Sequence, residues 1–80
     1  PNPYSGLTHI SYTLTKDAQV KIEVYNIIGE HIITLANEHQ TKGVHEYKFG
    51  AADIGYPSGV YVVKLTADDN VFTKRLVEFK

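Results

Sequence analysis

The chain predicts an all-β domain, an immunoglobulin-like antiparallel β-sandwich of about six to seven short strands. Three observations carry this. Apolar and polar residues alternate with period two in short runs, the pattern of strands that bury one face. Gly, Asn and Asp bound these runs, with turn signals roughly every 8–12 residues. The strongest run, Val60-Tyr61-Val62-Val63, is β-branched and aromatic, which favours a pleated surface over a helix.

The opening Pro1-Asn2-Pro3-Tyr4-Ser5-Gly6 has φ fixed at both prolines, lacks amide donors there and prefers extended or turn conformations. Residues 1–7 are therefore expected to be a junction with an upstream domain, and residues 8–80 the sandwich. Methionine is absent and no signal-peptide pattern is present, as in a segment of a longer protein. Ile10, Tyr12 and Leu14 alternate with His9, Ser11 and Thr13, and Val20, Ile22 and Val24 alternate with Lys21, Glu23 and Tyr25. Each apolar set should line one face of neighbouring or facing sheets.

Asn26-Ile27-Ile28-Gly29 reads as a turn with Gly29 at positive φ, and His31-Ile32-Ile33-Thr34-Leu35 as the returning strand. The polar segment from Asn37 to Gly43 reads as a loop. Val44 to Phe49 alternates again, with Tyr47 and Phe49 inward. Ala51-Ala52-Asp53-Ile54 is too short for a stable helix and reads as one turn before the Gly55-Tyr56-Pro57-Ser58-Gly59 breaker cluster. Tyr61, Val63 and Leu65 form the clearest inward row. Asp68-Asp69-Asn70 makes the last turn, and the segment from Phe72 to Lys80 is the closing strand, expected to stay accessible to another protein.

A chain of 80 residues makes one domain that buries only about 60–65% of its unfolded surface. Its stability should be on the order of 5 kcal/mol, with one thin core and little room for a deep pocket. Hydrophobic residues make up 42% and charged residues 21%, and no apolar run approaches the ~18 residues that span a bilayer. Membrane insertion is not expected. A net charge of −1 argues against nucleic acid as the main ligand, because phosphate binding needs Lys and Arg in surplus on one face. The absence of cysteine removes disulfide scaffolds, thiolate metal sites and thiol nucleophiles, and leaves the compartment open.

Several residue groups carry possible chemistry. His9, His31, His39 and His45 are dispersed, and none pairs at the i, i+4 spacing of a helical metal site, so they read as surface or core-edge residues. Ser58, His45 and Asp53 are the residue types of a nucleophilic triad, but no nucleophile elbow or oxyanion hole accompanies them, and serine is ordinary in a turn. Asp68, Asp69 and Asn70 lack the central glycine and further carboxylate of a calcium loop. No catalysis, metal or cofactor is expected. Tyr12, Tyr47 and Tyr61 fall on inward rows, which leaves Tyr4, Tyr25 and Tyr56 as candidates for stacking on sugars. Lys74, Arg75 and Lys80 on the last strand would deter sheet aggregation, and the same edge could be read by a partner through strand addition.

The order and spacing of several motifs resemble a known family. Pro1-Asn2-Pro3, Ile10-Ser11-Tyr12-Thr13-Leu14, Val24-Tyr25-Asn26-Ile27-Ile28-Gly29, Lys42-Gly43-Val44-His45, Ser58-Gly59-Val60-Tyr61 and Thr73-Lys74-Arg75 are collinear with the type A C-terminal sorting domain of the type IX secretion system. The chain departs from that pattern at Tyr4-Ser5-Gly6, Glu30, Gly50, the longer Gly55–Gly59 segment and the expanded Asp68-Asp69-Asn70 turn. It also resembles the immunoglobulin-like domain of flagellar hook-capping proteins, less closely, since their Trp-Asp-Gly step here reads Phe49-Gly50-Ala51.

The sorting-domain resemblance implies a non-catalytic tail of an exported cargo protein. Such a tail passes the periplasm, is read by an outer-membrane translocon and is commonly removed by a sortase-like peptidase at the cell surface or on release. It implies recognition through Lys74, Arg75, Leu76, Val77, Phe79 and Lys80, and a structural hydrogen bond for His45 at a strand start. The competing expectation is an accessory module of an extracellular enzyme, carbohydrate-binding or a spacer.

Overall fold

The computed structural model describes residues 8–51, 55–57 and 59–77, with side chains as far as residue 73. Six strands follow one another: β1 (Thr8–Leu14), β2 (Ala18–Asn26), β3 (His31–Gln40), β4 (Gly43–Phe49), β5 (Val60–Ala67) and β6 (Asn70–Val77). They form two antiparallel sheets, one of two strands (β1-β4) and one of four (β3-β2-β5-β6). The two sheets make a sandwich-like arrangement, as the alternation predicts.

Alternation fixes which side of each strand is inside. Val20, Ile22 and Val24 on β2 are fully buried, and the register sets Ile22 opposite Leu65 and Val24 opposite Val63 on β5. The smaller sheet closes over this row with Ile10, Leu14 and Phe49, all buried, while Tyr12 and Tyr47 pack at its margin. Phe49 meets Tyr61 edge to face, with ring centroids 5.5 Å apart. Each fully buried aliphatic side chain contributes about 1.5–3 kcal/mol relative to exposure, so this one row outweighs any surface contact in so small a domain.

The turns are held by side chains that cap backbone donors. Asn26 Oδ1 accepts from the amides of Ile28 (3.1 Å) and Glu30 (2.9 Å), and Gly29 takes φ 89°, which costs a residue without Cβ nothing. Asp17 Oδ1 accepts from the Lys42 amide at 2.8 Å and ties the β1–β2 turn to the β3–β4 turn. Asp68 adds the β5–β6 turn at the same end, its Oδ1 accepting from the Gln19 amide at 2.9 Å.

The expected loop from Asn37 to Gly43 is mostly strand. β3 continues to Gln40, and only Thr41 and Lys42 link it to β4. The polar residues that suggest a loop belong to an edge strand, where water satisfies the outward groups. β3 also carries two register shifts, which leave Leu35 and Ile32 without direct partners on β2. Such bulges disturb a period-two reading. Tyr56 N donates to Ala51 O at 2.9 Å, which closes a turn where one was expected; residues 52–54 and 58 lie outside the described residues.

Ile22→Ala is expected to cost about 2–5 kcal/mol and Tyr61→Ala about 3–5 kcal/mol. Urea unfolding should show both variants largely unfolded in buffer, whereas Val44→Ala, at a position 75% exposed, should melt like the parent. Near-parental stability of Ile22→Ala would mean that the buried and exposed faces are interchanged.

Candidate functional site

The residues expected to be read by a partner fall on β6. The register pairs Val63 with Lys74, Val62 with Arg75, Tyr61 with Leu76 and Val60 with Val77. β6 is the outer strand of the four-stranded sheet, so one backbone edge of Lys74–Val77 faces no other described strand. Phe79 and Lys80 lie outside the described residues. At the start of the strand Val71 and Phe72 are 56% and 58% exposed, which leaves an apolar approach beside the basic positions.

The residues weighed for other chemistry are largely engaged in holding the fold. His45 Nε2 donates to Thr41 O at 2.8 Å, the structural bond expected of it. His9 Nδ1 lies 3.0 Å from Glu46 Oε2 on the outer face, and His31 Nε2 lies 2.9 Å from Thr34 Oγ1. Asp53 and Ser58 lie outside the described residues. Among the described residues no group of three His, Asp or Glu side chains is placed to hold a metal ion.

Tyr25, a candidate sugar platform, is built into the outer face of the larger sheet. Its hydroxyl donates to Glu23 Oε2 at 3.1 Å, Lys64 Nζ lies 5.8 Å from its ring centroid, and His31 meets it edge to face. Glu23 is buried and lies 3.6 Å from Lys21 Nζ. Burial and the neighbouring Glu23 carboxylate push the Tyr25 hydroxyl above the ordinary tyrosine range. Tyr56 is exposed, and Tyr4 lies outside the described residues.

A polar network between the sheets went unpredicted. Gln40, buried at the end of β3, accepts from Tyr12 Oη at 2.6 Å and donates through Nε2 to Tyr47 Oη at 2.9 Å and Glu38 Oε2 at 3.0 Å. Tyr47 Oη donates in turn to Glu38 at 3.0 Å. The whole carboxamide is thereby satisfied, which a buried amide requires. The hydrogen bonds from Gln40 and Tyr47 hold the Glu38 carboxyl below the usual carboxylate range. Burial raises Tyr12 and Tyr47 above the ordinary tyrosine value. The available signal was a Gln, a Glu and two Tyr on three separate strands, which local patterning cannot place together.

The fold is a small all-β module in which several polar side chains among the described residues fasten sheets and turns, and its last described strand stands at a sheet edge. A family model for the secretion system C-terminal sorting domain matches residues 1–78, and the chain belongs to that family, the sorting signals of type IX secretion. Domains of this family are generally non-catalytic and mark an exported protein for the cell surface or medium. No curated protein and no solved structure matches the chain.

The network makes stability depend on pH at both ends. Glu38, with a depressed folded pKa, contributes stability that is present above the unfolded value of about 4 and lost as pH falls through the folded one. Tyr12 and Tyr47, with raised folded pKa values, contribute below about 10 and lose that contribution as pH rises. Urea midpoints measured across pH should fall on both limbs, and Glu38→Gln should flatten the acid limb. Gln40→Ala should cost about 1–3 kcal/mol near neutrality; an unchanged midpoint would remove the network from the account of stability.

Proposed function

We propose that the domain directs an upstream cargo protein, joined through residues 1–7, across the periplasm and through the outer membrane, by presenting β6 to the secretion translocon. Family membership over residues 1–78 is the observation that carries this reading. The position of β6 at the sheet edge supports it, since an unpaired edge can accept a strand from a receptor while the core stays intact. Lys74, Arg75, Leu76 and Val77, with Phe79 and Lys80, are the recognition residues in this proposal. The basic residues also discourage unspecific sheet pairing, so specificity and solubility are served by the same strand. A sortase-like peptidase acts after translocation, and the domain itself contributes no catalytic step.

Fusion of the 80 residues to a fluorescent cargo carrying an export signal tests this in a host with the secretion system. The fusion should reach the surface or medium, and Lys74→Glu with Arg75→Glu should retain most of the cargo in the periplasm while the isolated domain melts like the parent. Periplasmic retention of the parental fusion equal to a cargo without the domain would overturn the proposal.

A further inference from the structure

One end of the sandwich is closed by the three turns at residues 15–17, 41–42 and 68–69, all of them among the described residues. Between the first and the last of these turns lies a recess of about 190 Å³. Leu14 and Ala18, both buried, form its floor. Phe72 forms one wall, and Lys16, Asp68 and Asn70 stand at its rim. Phe72 is 58% exposed, so much of its ring is open to a ligand.

The rim is fixed in place, yet its hydrogen-bonding capacity is left over. Asp68 fastens the last turn to β2: its Oδ1 accepts from the Gln19 amide and its own amide donates to Gln19 O, both at 2.9 Å. Asp17 fastens the first turn to the Lys42 amide. Among the described residues, the Lys16 ammonium and the Asn70 carboxamide make no hydrogen bond or ion pair, and Oδ2 of Asp68 accepts none. By contrast, the side chains around Gln40 and Glu23 are spent on one another. One cation, one carboxylate and one amide thus border a common apolar floor. The register sets Lys74 on the same face of β6 as Phe72, two residues farther from this end.

We propose that this recess binds one sugar ring, a single neutral hexose residue of a glycan. The C–H face of the ring rests on Phe72, and its hydroxyls turn toward Lys16, Asp68 and Asn70. A hydroxyl both donates and accepts, so a ring bearing several of them satisfies an ammonium, a carboxylate and a carboxamide together. A wholly apolar ligand would cover these groups without pairing them, which costs free energy at each. An ion of either sign would meet a like charge at the rim. Size limits the occupant to one ring, because the recess is well below the about 300–1,000 Å³ of sites for drug-sized ligands. The site is separate from Tyr25, whose hydroxyl and ring are engaged by Glu23 and Lys64. It does not depend on the sorting proposal.

Titration of the isotope-labelled 80-residue chain with the methyl glycosides of glucose, galactose and mannose, followed through amide chemical shifts, tests this. At least one glycoside should give saturable shifts at Lys16, Ala18, Asn70 and Phe72, with a dissociation constant on the order of 1 mM. Sorbitol, which has the hydroxyls without the ring, should not saturate the site. Phe72→Leu keeps apolar bulk at an exposed position but removes the flat face, and should weaken binding about tenfold, whereas Phe72→Tyr should retain it. Asn70→Ala should weaken binding about threefold or more. Absence of saturable shifts with all three glycosides, shifts centred away from the recess, equal saturation by sorbitol, or parental affinity of Phe72→Leu or Asn70→Ala would each overturn the proposal.

Discussion

Val20, Ile22 and Val24 are withdrawn completely from water, and the remaining elements are arranged around that row. β2 lies between β3 and β5 in the larger sheet, so its backbone is paired on both sides while its apolar face meets the smaller sheet. Two strands suffice for that cover because the inward residues of β1 and β4 are large: Ile10, Leu14, Tyr12, Tyr47 and Phe49. A domain of 80 residues buries a limited fraction of its surface, and a central strand with full burial is the economical way to reach cooperative folding.

The open ends of the sandwich are then finished differently. Toward β3, Gln40 bridges Tyr12, Tyr47 and Glu38, so the gap between sheets is filled by hydrogen bonds rather than by more apolar volume. Toward β6, among the described residues, Val63, Leu65 and Phe72 line an open groove instead. The contrast follows from strand count. A two-stranded sheet set toward β3 must leave the far strand of its four-stranded partner uncovered. Secure closure at one margin produces exposure at the other.

Period-two alternation made the inward rows legible, and Tyr61, Val63, Tyr47 and Phe49 all point to the side that it assigns. Turn chemistry was equally readable at Gly29, where a positive φ is needed. Legibility failed where the structure depends on contacts between distant segments. The bulges at Leu35 and Ile32 break the period of β3 and, with its polar end, disguise the strand from Asn37 to Gln40 as a loop. Gln40 itself looks like a surface residue until Tyr12 and Tyr47 are brought over it. The candidate recognition strand was readable as a strand, and its edge position follows only from the pairing order.

The chemistry of the sheet edges bears on how so thin a domain can carry recognition. Its core has no spare residues, because changing a fully buried side chain removes a large share of the total stability. Recognition chemistry must therefore sit on backbone edges and exposed strand faces. β6 carries Lys74 and Arg75 beside exposed Val71 and Phe72, while β1 carries no charge at all. A basic edge attracts partners by complementary charge and repels copies of itself.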